Sequence, residues 1–563
     1  MKIRTGIGIA FAVVAAAVIS IFAFGTPAGD EDIKDGEIRV FENYGQIEKV
    51  LSGIKEEPIV YAEGVVEDTM DGGMGVTEDA ELGTAVKDAE RSDTYVQVEG
   101  VDEADIIKTD GKYIYYTSRL GYDVIIAKVS DGKAEDAAMI SEEEMGITAD
   151  DMFLTGDRLV IVGFENEDSG SYYVPFTSAN TAACVYDVSD PEKPEFIGKY
   201  RQTGSYVSSR ITGGYLYLIT SDWLDRGEQR IVPYAGVGDE FDKLPADHIC
   251  CFPNPERRSY AVIGSVKVDS GKGSLKANTH AVLGTSDEIY CSGDSIYLTS
   301  YSMGQKTSIM KAEISKGKVA FAKNGSVRGD VHNQFSMDEK DGYFRIATTA
   351  YVKGKDVNYL YVLNDDMEVV GKVKGFAAGE QIKAVRFLGD TAYVITYEQT
   401  DPLFVIDLSD PENPQMRGSV KITGFSSLLL PEGDDKIIGI GTSTSDGEWG
   451  EVEEGVKIAL FDISDPEKPE VLDSMTYSDY YSDVQYNHRA LTVNSKEGWY
   501  AIPYSAQESD KGGVLQFRVA GDKLEEISDY ESETGIDRCI YIDDYIYGLE
   551  SFDDEIISWK IAH

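Results

Sequence analysis

The sequence predicts an all-β chain closed into a β-propeller of eight or nine four-stranded blades, and two observations carry that reading. A tight turn of Gly, Asp or Lys followed by an alternating aromatic or β-branched strand recurs nine times: TDGKYIYY at 109, TGDRLVIV at 155, TGGYLYLI at 212, SGDSIYLT at 292, KDGYFRIA at 340, LGDTAYVI at 388, GDDKIIGI at 433, KEGWYAIP at 496 and DDYIYGLE at 543. A second element follows in three places, VYDVSDPEKPEFIG at 185, VIDLSDPENPQMRG at 405 and LFDISDPEKPEVLD at 460. There a strand ends at an aspartate, Ser-Asp-Pro makes the turn and a second proline opens the next strand. Proline fixes φ and cannot donate to a ladder, so both prolines belong at a connection or an edge. The resulting unit of four strands repeats about every 45 to 60 residues, the signature of propeller blades.

The elements follow in chain order. Lys2 and Arg4 precede an uncharged run from Thr5 to Ala28, whose uninterrupted apolar part would measure about 30 Å as a helix. Residues 1–28 therefore read as a signal peptide or a single N-terminal transmembrane anchor, with the rest of the chain sent out of the cytoplasm. Residues 29–94 read as a short helix and an acidic linker. Phe41, Tyr44, Ile47, Leu51 and Ile54 are spaced near 3.6, whereas 63–94 is rich in Gly and acid with nothing periodic to bury. Residues 95–563 read as the propeller. Its last copy, 536–562, has room for three strands, so a strand at 95–99 is expected to complete it and close the ring. The interval 222–258 reads as an insertion on one face.

Composition narrows the partners. A net charge of −48 over 563 residues opposes nucleic acid and anionic lipid, which are polyanions. The membrane is touched through the N-terminal segment only. Cys184, Cys250, Cys251, Cys291 and Cys539 lack metal-site spacing and imply one disulfide or none. Asn324-Gly325-Ser326 is a glycosylation sequon.

Four longer stretches, VQVEGVDEADIIKTDGKYIYY at 96, HNQFSMDEKDGYFRIATT at 332, TDPLFVIDLSDPENPQMRGSVKITGFSSLLLP at 400 and DVQYNHRALTV at 483, resemble one family. It is the secreted proteins with a C-terminal β-propeller domain distantly related to WD-repeats. The resemblance spans about 38–563 and implies an extracytoplasmic propeller. It supplies no catalytic residues.

Motifs for common chemistries are missing: there is no GxSxG, HExxH, Walker loop or strand-linked GxGxxG. His332 and His488, at the starts of units where strands converge on the channel, are the catalytic candidates, with Asn333 a ligand-binding candidate beside them. The competing reading is that each histidine satisfies backbone groups at a blade junction. Asp102, Glu103, Asp105 and Asp110 crowd the first blade and offer the oxygens a calcium ion requires, or are solvated turns. No other cofactor is expected. Asp187, Asp407 and Asp462 read as caps of their Ser-Asp-Pro turns. Most tyrosines should pack between blades, while Tyr172, Tyr173, Tyr480 and Tyr481 sit in loops and are candidates for ligand recognition. Taken together the sequence reads as an extracytoplasmic, non-enzymatic propeller, anchored or secreted, that binds a protein or glycan. The alternative is an extracytoplasmic hydrolase or lyase using channel carboxylates and a histidine.

Overall fold

Each of the nine repeated turns becomes the hairpin between the first two strands of a sheet. In the first sheet Ile107–Thr109 turns through Gly111 into Tyr113–Thr117, with Val124–Ser130 and Lys133–Ile140 outside them. Gly111 has φ +87°, which an L side chain rarely adopts, so glycine sets this turn. The computed structural model describes residues 38–54 and 90–563, apart from 166–179, 226–228, 285–286, 303–304, 398–400, 423, 448–449, 507–508, 510 and 552–553. The N-terminal apolar segment, most of the acidic linker, and Tyr172 and Tyr173 lie outside the described residues. Among the described residues no helix is long and apolar enough to cross a membrane.

The described strands form nine sheets: eight of four or more strands, and a last one of three, Ile536–Ile542, Tyr545–Glu550 and Ile556–Lys560. Consecutive sheets bury their aliphatic and tyrosine faces against each other. Tyr115, Val124 and Ile126 of the first blade pack on Leu159, Ile161 and Cys184 of the second, and comparable clusters lie between later neighbours. The ring closes where Ile107, Ile114 and Tyr116 of the first blade meet Ile540, Ile542 and Tyr547 of the ninth sheet. Asp554 completes the clasp, accepting hydrogen bonds from the Ser118 hydroxyl at 2.7 Å and from the Arg119 and Leu120 amides at 2.9 Å.

The Ser-Asp-Pro turns join third to fourth strands. Asp187, Asp407 and Asp462 each accept the amide of the serine two residues on, at 3.0, 2.8 and 2.8 Å. The serine's side chain first, and then its amide, hold all three carboxyls below the usual aspartate range.

Two parts of the chain depart from the sequence reading. The helix Tyr44–Gly53 does not stand apart from the propeller; Ile47 and Leu51 are buried against Leu244 and Ile249 of the insertion and Tyr260 of the third blade. Arg39–Val40 adds a strand beside Ile249–Cys251, which itself runs parallel to Ala277–Leu283 at that blade's outer edge. The second departure is at 95–99, which forms no strand in the ninth sheet. Arg91 bridges Ile542 of that sheet and the Ser92 amide bonds the Tyr541 carbonyl, and the chain then crosses the central channel. Asp102–Glu103 pairs with the free edge of Ser205–Thr212 in the third blade, and Asp105 bridges Met152 in the second. The physical reason is that inner edges carry unpaired backbone groups, and this segment satisfies three of them in succession.

All five cysteines are buried free thiols. The Asn324 sequon is unavailable to a glycan, because Asn324 is buried in a strand and Gly325 lies against the Met367 carbonyl.

Candidate functional site

The crossing segment brings charge into the channel, and its Asp102, Glu103 and Asp105 each meet a basic side chain. Glu103 is buried; it accepts the Gln97 amide at 2.9 Å and the His488 ring nitrogen Nε2 at 3.1 Å, with Arg210 Nη2 3.6 Å away. Burial opposes its charge, but the Arg210 guanidinium and the His488 ring overcome that cost and hold the carboxyl well below its usual range. Asp105 meets Arg538 at 3.1 Å, and Arg538 also binds Asp483. Asp102 faces Lys108 at 3.4 Å. Asp110 instead caps its own turn, accepting the Lys112 and Tyr113 amides at 2.8 and 2.7 Å. The four acidic calcium candidates thus answer to different partners, and no group of three potential metal ligands forms among the described residues.

Beside this network lies a cavity of about 100 Å³, opening on the face where the innermost strands begin. A buried water needs about 10–15 Å³ by the same measure, so several waters or a small ligand group fit. Glu103 and His488 form part of its wall, with Arg210, Gln334, Arg489 and Asp151. Gln334 Oε1 accepts from Arg210 Nη2 at 2.7 Å, and Arg489 Nη1 reaches Asp151 at 2.9 Å and the Ala104 carbonyl at 2.8 Å. Next to Asp151, burial and the Asp151 charge push the Asp150 carboxyl up to about 7.

The two candidate histidines part company. His488 is 2% exposed, in the short turn His488–Ala490. His332 is exposed. Its neighbour Asn333 is buried and accepts the Phe335 amide at 3.1 Å, capping the turn Gln334–Ser336. It is therefore Gln334 and Phe335 that meet the His488 region, Phe335 edge-on to the His488 ring at 5.4 Å.

Tyr480 and Tyr481 also part. Tyr480 is half-buried; it stacks on Tyr504 at 3.8 Å and donates to Asp529 at 2.6 Å. Tyr481 is 46% exposed and stacks on Tyr486, 40% exposed, at 5.8 Å. Both lie on the connection from the seventh blade into the eighth that goes on to place His488 and Arg489 in the cavity wall. Exposed Tyr122, Trp223 and Tyr351 also occupy loops or strand ends on this face.

Sequence reading did not single out Arg210, Arg489, Arg538, Asp151 or Gln334. The usable signal was an arginine inside an otherwise apolar strand, as in IDRCIYI, since such a charge is buried only when paired.

A family model for the beta propeller domain matches residues 91–560. The chain belongs to the beta propeller domain family. Relatives of this propeller include an uncharacterised protein of Archaeoglobus fulgidus, 29% identical across 96% of this chain and 96% of its own length. An uncharacterised protein of Methanocaldococcus jannaschii is 27% identical across 84% of this propeller chain and 82% of its own. Among solved structures, a protein of Lactobacillus plantarum aligns at a TM-score of 0.31 and 10% identity, over 69% of this chain and 99% of that one.

Proposed function

We propose that this propeller is an extracytoplasmic, non-enzymatic binding protein that takes a protein or glycan on the face where its innermost strands begin. The observation that supports this most is the exposed Tyr481–Tyr486 stack, carried on the same connection as the cavity residues His488 and Arg489. Two stacked tyrosines present apolar area with polar tips, the surface that suits sugar rings or peptide groups. The channel charges meanwhile are engaged with one another, which leaves His488 holding Glu103 in place. The N-terminal sequence supports the location outside the cytoplasm.

One observation favours the second reading. A carboxylate and a histidine within hydrogen-bond reach line a cavity, the arrangement a hydrolase or lyase would use. A single experiment separates the two: the full chain is screened against arrays of glycans and extracellular proteins, with hydrolysis of the same polymers followed in parallel. Saturable binding is expected, weakened at least tenfold by Tyr481→Ala with Tyr486→Ala at unchanged melting temperature. Turnover that stops in Glu103→Gln would replace this reading with the second.

A further inference from the structure

Away from the channel, at the outer edge of the third blade, two imidazoles lie face to face. His248 belongs to the turn Ala246–His248 of the insertion, and His280 to the outer strand Ala277–Leu283. Their ring centroids are 4.7 Å apart and the planes 15° from parallel. Each ring is fixed from behind. His248 Nδ1 bonds the Thr279 carbonyl at 2.9 Å, His280 Nε2 meets Asn278 Nδ2 at 3.2 Å, and Phe321 of the fourth blade stands edge-on to His280 at 6.1 Å. The charged groups nearby are few. Asp247 sits beside His248 on the same turn, and Lys323, two residues beyond Phe321, is committed to Asp366 at 2.6 Å.

The turn belongs to an insertion that is tied to the cavity wall through one ion pair. The insertion leaves the blade at Leu224, whose amide bonds the Arg258 carbonyl at 2.8 Å, and just before it rejoins, Arg257 pairs with the cavity residue Asp287 at 2.6 Å. The N-terminal segment is tied to the same piece. Arg258 Nη1 bonds the Leu51 carbonyl at 3.0 Å, and the Tyr44 hydroxyl bonds the Leu244 carbonyl at 3.1 Å.

We propose that the stacked His248–His280 pair is an acid-sensitive latch, which seats the insertion on the third blade and loosens it, with its Arg257 tie to the cavity residue Asp287, when the stack takes up a proton. Stacked neutral imidazoles attract through their faces, whereas two imidazolium ions at this separation repel. Burial first, and then the His248 charge, hold the His280 ring down at about 4, against 6.5 for a free histidine. The seated state therefore binds fewer protons than the loosened one. Its advantage is full above pH 6.5 and is lost as pH falls from there toward 4.

This inference rests on the proposed binding face for its purpose but not for its test, which needs no ligand. Hydrogen exchange of the full chain is measured between pH 7.5 and 4, corrected for the intrinsic rate at each pH. Protection in 242–258 is expected to fall at least tenfold with a midpoint between pH 6.5 and 4, while the blade strands stay protected. The double variant His248→Phe with His280→Phe keeps two stacked rings without their charge and should hold protection flat across the range. If that pair disturbs folding, His280→Asn, which keeps a polar group at the strand, serves in its place. Unchanged wild-type protection down to pH 4, or an equal loss in the variants, overturns the latch. Failure of the Tyr481 and Tyr486 variants to affect binding would instead overturn the proposed function and leave the latch standing.

Discussion

Arg538 is the residue on which the channel depends most visibly. It is 4% exposed, reaches Asp105 and Asp483 from two other parts of the ring, and also donates to the Asp537 carbonyl at 2.8 Å. A buried ion pair is poor evidence of net stability, because desolvation offsets much of its attraction. Removing one member is another matter, since the remaining carboxylate is left buried without compensation. Arg538→Met is therefore expected to destabilise the full chain by about 3–5 kcal/mol in denaturant melts. Adding Asp105→Leu should restore part of the loss, and a single variant that melts like the wild type would contradict the account. Glu103 shows the same principle from the acid side: its depressed carboxyl contributes stability above the unfolded value, and the contribution drains away as pH falls through acid.

At the scale of elements, the Ser-Asp-Pro turns do more than end strands. The turn of the sixth blade sits on the outer strand of the fifth, where a Cβ on Gly371 would lie 2.0 Å from the Pro411 carbonyl oxygen. The turn of the seventh blade sits on Gly418 of the sixth in the same way, with Pro466 oxygen at 2.6 Å. One motif thus supplies both a hairpin and a blade-to-blade contact. Gly371→Ala should cost about 1–3 kcal/mol through overpacking, while Gly293→Ala, which meets nothing within 4 Å, should stay within about 0.5 kcal/mol. Equal effects in thermal melts would contradict that. These elements were legible in the sequence because their causes are local: Gly111 marks a left-handed turn, and Asp462 and Ser464 are two residues apart. The channel was not legible for the opposite reason. Glu103 and His488 are 385 positions apart, and nothing near either residue says that the other is its partner. The stretches at 96, 332 and 483 did stand out, and they supply Gln97, Glu103, Gln334 and His488 to one network, but only the closed ring brings them together.

The whole molecule carries a charge of −48, and its interior nevertheless holds arginines where the sequence reading allowed for calcium. Where chain cations already answer the channel carboxylates, a divalent ion gains little by entering. Melting of the full chain is accordingly expected to be unchanged, within about 1 °C, by a chelator, and a marked drop would restore a cation to Asp102, Glu103, Asp105 and Asp110. The same charge shapes recognition at longer range, favouring neutral or basic partners over polyanions at the tyrosine-bearing face. Fold class was readable at this scale from nine repeats; the route of 90–105 through the channel was not, because a strand pattern says where backbone pairing is possible and not which edge will be left free.

That route orders events in time. The stretch containing Ser92 leaves the ribosome before any blade exists, yet its amide bonds the Tyr541 carbonyl, 449 residues later. Until the last sheet is made it has no complete seat, so the nascent ring must assemble around a segment still waiting for its partners, a slow step by the distance its contacts span. Once seated, the segment ties the second, third and ninth sheets to one another through the middle. No blade among these can peel away alone, and the propeller comes apart, when it does, in one infrequent event rather than by fraying from its ends.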